Sequence, residues 1–191
     1  LYAFVGMGDD PGTGWVDSAG TWTQLANQAG TTGNDIAFGV LRKVITNAAG
    51  EPSSYTFRRS GNNASDNMAV IVVQVRGADV SGDPEDQTTA ISSYGTNDFT
   101  PDNIDITTQT AGSLILAAHL AGGAAPQYIT PDARTAGAPS GYTLVNSEVY
   151  ADGTNTFSVF LEVTKLEDAG AAGAKSIGSW TGSADDSTSE Y

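Results

Sequence analysis

The run Met68-Ala69-Val70-Ile71-Val72-Val73 contains no polar residue and ends at Gln74. Small and β-branched side chains in such a run favour an extended backbone. Gly61-Asn62-Asn63-Ala64-Ser65-Asp66-Asn67 before it and Gly77-Ala78-Asp79-Val80-Ser81-Gly82-Asp83-Pro84 after it are turn chemistry. Residues 68–76 therefore read as a strand buried on both faces, expected at the centre of a sheet rather than at its edge.

The rest of the chain is consistent with a β protein. It has 191 residues, enough for one large domain with its own core. Twenty-three glycines accompany many Ser, Thr, Asn and Asp residues, and no long stretch keeps apolar residues at the helical period. There is no cysteine, so no disulfide contributes. Twenty-two acidic against 8 basic residues give a formal charge of −14. Neutralising phosphates needs clustered Lys and Arg, and here the basic residues are scattered apart from Arg42-Lys43 and Arg58-Arg59. Nucleic acid is therefore not an expected partner. No apolar run approaches the length of a membrane-spanning helix, and no membrane partner is expected either. The chain opens inside an apolar stretch, Leu1-Tyr2-Ala3-Phe4-Val5, and closes on Ser187-Thr188-Ser189-Glu190-Tyr191. Both ends are expected to be cut from something longer.

Strand readings fall at 1–7, 22–25, 35–46, 55–58, 68–76, 114–120, 142–145, 156–166 and 175–180, with one or two short strands inside the polar stretch 88–110. The segments recur in order. Leu1–Val5 matches Leu114–Ala118. Gly20-Thr21-Trp22-Thr23-Gln24-Leu25 matches Ser140-Gly141-Tyr142-Thr143-Leu144-Val145. The strand at Ile36 matches that at Phe157, and the polar turn at Ser60 matches that at Thr181. Two pseudo-repeated halves, about 1–80 and 111–191, would be linked by 81–110. By this pattern, the counterpart of the 68–76 strand belongs just after Tyr191. The expected fold is all-β: an antiparallel two-sheet sandwich, jelly-roll-like, forming a single domain.

The order of Leu1–Val5, Gly20–Leu25, Glu51-Pro52-Ser53-Ser54-Tyr55-Thr56-Phe57, Ser60-Gly61, the Val-rich strand and Arg76-Gly77-Ala78-Asp79 resembles a β-sandwich module of tailed-bacteriophage structural proteins and related bacterial surface proteins. Ala111–Ala117 and Pro139–Val145 fit the same pattern. The resemblance implies a virion-surface or extracellular role as head decoration, fibre or tail-associated adhesin. Other virion proteins and copies of the same chain would be its partners. It brings no catalytic residues with it.

The chemistry of the side chains points the same way. His119 is the only histidine and lies in an apolar strand, with no Gly-x-Ser-x-Gly elbow to suggest a Ser-His-Asp site. It reads as a strand histidine near a sheet end. Zinc would need several His or Cys ligands. Asp79, Asp83, Glu85 and Asp86 cluster in one loop, and Asp9-Asp10 and Asp185-Asp186 in others. Such oxygens can hold calcium, but no EF-hand spacing is present and solvated turn aspartates are the simpler reading. No carboxylate pair is singled out for glycosidase chemistry. Trp15, Trp22, Tyr55, Tyr142 and Trp180 would stack sugars if exposed, but at strand starts aromatics more often plug a core. Asn63-Ala64-Ser65 matches the glycosylation sequon without further support. No catalytic, cofactor-binding or metal-ligating residue is assigned, and no enzyme or cofactor is expected. The leading expectation is a non-enzymatic virion structural protein. The alternatives are a carbohydrate-binding or adhesin module for host glycans, with or without calcium, and a filament or surface-layer subunit.

Overall fold

The computed structural model describes residues 1–8, 14–17, 20–29, 36–59, 68–78, 81, 83–85, 92–93, 104–123, 141–151, 158–167, 173–177 and 188–190. Their strands are β1 (Tyr2–Gly8), β2 (Trp15–Asp17), β3 (Thr23–Ala29), β4 (Ile36–Arg42), β5 (Phe57–Arg59), β6 (Met68–Val73), β7 (Ser92–Ser93), β8 (Ile104–Thr108), β9 (Leu114–Gly123), β10 (Thr143–Ala151), β11 (Ser158–Glu167), β12 (Gly173–Ile177) and β13 (Thr188–Glu190). Among the described residues the only helical piece is a 3-10 turn at Ala48–Gly50. The fold is all-β, and the described strands pair antiparallel.

A four-stranded sheet has the order β3-β4-β1-β6, and a five-stranded sheet the order β10-β11-β9-β13-β7. Each is drawn from its own stretch of chain, residues 2–73 and 92–190. Two short ladders, β2-β5 and β12-β8, complete the set. In the second of these, Thr108 donates its hydroxyl to the Gly173 carbonyl (3.3 Å) and accepts from the Gly173 N–H (3.2 Å).

The period-2 alternation of β1 and β4 sorts their side chains into two clusters. Phe4, Phe38 and Val40 join Ala69 and Ile71 of β6 and meet Ala118, Leu120, Leu161 and Val163 of the five-stranded sheet. On the other face Ala3, Val5, Met7, Ala37 and Leu41 lie under Trp15, Trp22 and Phe57. The central strands of the first sheet are thus covered on both sides.

Two expectations about the 68–76 strand change. It ends at Val73, and it is an edge strand, not a central one. Its burial alternates, with Ala69 and Ile71 buried and Val72 44% exposed. It is apolar on both faces because Met68 and Val70 lean on the aromatic cluster around Trp15 and Phe57 while Ala69 and Ile71 enter the main core. Near the end of the chain, β13 pairs with β9 as β6 pairs with β1.

The two larger sheets share further detail. Thr23 lies opposite Arg42, and Thr143 opposite Lys165; in both ladders the register shifts one step later, at Gln24/Ala26 and at Leu144/Asn146. Such bulges bend and twist a strand locally. Arg42 also lies opposite Tyr2, and Lys165 opposite Leu116. Tyr2 therefore corresponds to Leu116, one residue away from the match of Leu1 with Leu114, and a one-residue slip exchanges the faces of a strand. Other readings shift at their ends: 35–46 stops at Arg42, 55–58 becomes Phe57–Arg59, and the strand read at 175–180 starts at Gly173, with 178–180 outside the described residues.

Candidate functional site

The charged side chains gather where β4 ends. Consecutive residues of a strand point to opposite faces, so Arg42 and Lys43 part company. Arg42 turns to the loop after β6, where it forms ion pairs with Asp83 and Glu85. Glu85 also accepts the Tyr2 hydroxyl at 2.9 Å, and Tyr2 is the direct neighbour of Arg42 in the β1–β4 ladder. Burial above all pushes the Tyr2 phenol up; Arg42 opposes this and Asp83 adds to it.

Lys43 turns the other way. Its ammonium lies 2.6 Å from Glu51, donates to Thr21 Oγ1 at 3.1 Å and sits 4.9 Å from the centre of the Tyr55 ring. The 3-10 turn that presents Glu51 is capped by Asn47, whose Oδ1 accepts the Ala49 N–H at 3.2 Å. Glu51 in turn accepts the Tyr55 hydroxyl at 2.5 Å. The hydrogen bond from Lys43, then that from Tyr55, hold the Glu51 carboxyl below its ordinary range. Its hydrogen bond to Glu51 raises Lys43, and the separate bond from the Tyr55 hydroxyl to Glu51 raises Tyr55.

Beside Arg42, a hollow of about 310 Å³ opens between Leu1, Tyr2, Val75, Arg76 and Pro84. A second, of about 320 Å³, lies over Tyr55, Phe57, Met68, Val70 and Val72. Both are shallow. The carboxylates at this end of the sheet face cations and hydroxyls, an arrangement that ties loops to strand ends.

A third charged group is hidden. Arg59 is fully buried, with its guanidinium 5.0 Å from the centre of the Trp15 ring and donating to Asn27 Oδ1 at 3.0 Å. The alternation of β5, Phe57 in, Arg58 out, Arg59 in, puts it there. The Arg58-Arg59 pair was visible in the sequence; the alternating Phe57 was the signal that one arginine turns inward.

The residues singled out from sequence scatter. Asp83 and Glu85 come together on Arg42, while Asp79 and Asp86 lie outside the described residues, as do Asp9, Asp10, Asp185, Asp186, Asn63 and Trp180. Among the described residues no group of three or more His, Cys, Asp or Glu side chains could hold a metal ion. His119 is buried in β9, which is an inner strand of its sheet rather than near its end, on the face opposite Ala118 and Leu120. Trp15, Trp22 and Tyr142 are buried. Trp22 meets Tyr55 and Phe57 edge-on, with ring centres 5.2 and 5.1 Å apart, so these aromatics pack a core rather than form an open platform. No helix among the described residues is long and apolar enough to cross a membrane.

No family model matches the chain, and neither the curated proteins nor the solved structures yielded a match.

Proposed function

We propose that this chain is a non-enzymatic structural module of a virion surface, acting as a capsid decoration, fibre or tail-associated protein. In this reading the two larger sheets are the layers of a jelly-roll-like sandwich, and its halves repeat one strand order. The observation that carries the reading is the use of charge. Arg42 binds Asp83 and Glu85, and Lys43 binds Glu51 under Tyr55, so these groups tie loops to strand ends. The sequence pattern of the virion module supports it independently. A net charge of −14 would keep many displayed copies from clumping.

Electron microscopy of native particles with an antibody label tests the proposal. Label on a capsid lattice or on a tail is the expected result. Label on end-to-end filaments would replace it with a filament or surface-layer subunit. Chelator-sensitive binding on a glycan array, with no label on particles, would replace it with an adhesin.

A further inference from the structure

Four strands end the two larger sheets: β3, β6, β10 and β7. Exposed edges invite pairing with other chains, and proteins blunt them with bulges, charges, prolines or extreme shortness. β3 and β10 each carry a bulge, and β10 also exposes Asn146 and Glu148, hydrogen-bonded to each other at 3.1 Å. β7 has two residues. β6 has none of these protections. Its register against β1 is regular over six residues, and it contains no charge, no proline and no bulge. Val72 stands exposed beside the apolar hollow over Tyr55 and Phe57. In the other sheet the corresponding place, outside β13, is filled by β7.

We propose that β6 is an interface between two copies of this chain, with Ala69–Val73 of each pairing antiparallel about a two-fold axis at Ile71. The symmetry of the strand argues for a second copy, and its lack of charge is what lets two copies meet there. Chains of net charge −14 repel wherever their acidic faces meet, and β6 brings no charge to the contact. The strand also reads nearly alike in both directions. The axis sets Ile71 opposite Ile71, Val70 opposite Val72 and Ala69 opposite Val73. Each pair joins residues on the same face, so Ala69, Ile71 and Val73 extend the main core across the axis. Val70 and Val72 of both copies cover the hollows over Tyr55 and Phe57. Facing β-branched pairs of this kind stabilise a sheet. Two four-stranded sheets become one of eight strands, and the self-matching contact closes at a dimer. The interface deepens the assembly reading above and rests on it for its purpose, though not for its geometry.

Sedimentation velocity of the 191-residue chain, from micromolar to millimolar concentration, tests it. Wild type is expected to dimerise. Val72→Lys is expected to be monomeric with an unchanged circular dichroism spectrum, since Val72 is already exposed. The absence of native cysteine allows a register test: mixed Val70→Cys and Val72→Cys variants should cross-link faster than either alone. A wild type that stays monomeric at millimolar concentration overturns the proposal, as does a dimer indifferent to Val72→Lys or cross-linking no faster in the mixture. A monomer whose outward β6 amides resist hydrogen exchange would mean that the chain covers its own edge, which also overturns it. Particle imaging is read separately. A monomer on virions removes the interface and leaves the virion role, whereas a β6 dimer absent from virions does the reverse.

Discussion

Gly6 of β1 and Leu120 of β9 meet across the two larger sheets, the isobutyl group of Leu120 occupying the space that any side chain at position 6 would need. Gly6→Ala is therefore expected to destabilise the fold by about 1–3 kcal/mol through overpacking. Leu120→Ala, which empties a fully buried site, should cost about 2–5 kcal/mol. The double variant should cost less than the sum by roughly 0.5 kcal/mol or more, because each change relieves the other. Urea unfolding of the four proteins measures this, and strict additivity would contradict the contact.

A similar fit joins Trp15 to β4. A methyl group at Gly39 would overlap the indole ring, whose other neighbour is the Arg59 guanidinium. Arg59→Ala is expected to cost about 3–5 kcal/mol, since it removes a buried cation from its partners and leaves a void. Arg59→Lys should recover little of that, because an ammonium cannot both stack on the ring and reach Asn27 as the planar fork does. Near-wild-type melting of Arg59→Lys would show that charge alone suffices.

Asp83 and Glu85 share Arg42 but not the same exposure. The Asp83 side chain is 70% exposed and that of Glu85 is 18% exposed. Asp83→Asn should change stability by no more than about 0.5 kcal/mol. Glu85→Gln, which weakens a half-buried cluster that includes the Tyr2 hydroxyl, should cost about 1–3 kcal/mol. Equal losses in thermal melts would refute this ranking.

Acid should loosen the Lys43–Glu51–Tyr55 cluster. Glu51 has a folded pKa below its ordinary value of 4.5, so its contribution is present above 4.5 and is lost as pH falls through the folded value. Lys43 and Tyr55 are raised, so theirs are complete below 10.5 and 10.0 and are lost only as pH rises through the folded values. Between these limits the cluster should be insensitive to pH. Carboxyl-carbon NMR of Glu51 should show a midpoint under 4.5 that returns toward it in Tyr55→Phe. A midpoint at or above 4.5 in the wild type would rule the cluster out.

Much of the strand content was legible because β1, β4, β9 and β11 combine apolar residues with turn-rich flanks. Trp22 and Tyr142 were legible as markers of strand starts, since each stands just before an edge strand, β3 and β10. Three things were not. β2 has three residues inside a Gly- and Asp-rich stretch and becomes a strand only by pairing with β5. The edge position of β6 was hidden because Met68 and Val70 find apolar cover outside the sheet, which mimics a central strand in composition. The register of the halves slipped by one because Leu1 and Leu114 look alike, whereas the ladders follow Tyr2 and Leu116. At the charged end, Arg42-Lys43 was visible, but its partners lie on loops up to 43 residues away, at Asp83, Glu85 and Glu51.

That each larger sheet is drawn from one continuous half has a consequence for biosynthesis. Every strand of the first sheet has been made once Val73 is added, so its ladders need nothing from the second half. Its inner face, Phe4, Phe38, Val40, Ala69 and Ile71, stays wet until Leu161 and Val163 arrive. At about 5–20 residues per second, that wait lasts roughly 5–20 s on the ribosome. During it the nascent chain presents an apolar sheet face together with the unguarded β6 edge. Chaperone contact or pairing between neighbouring nascent chains is therefore expected in this interval, before the second half has covered the first.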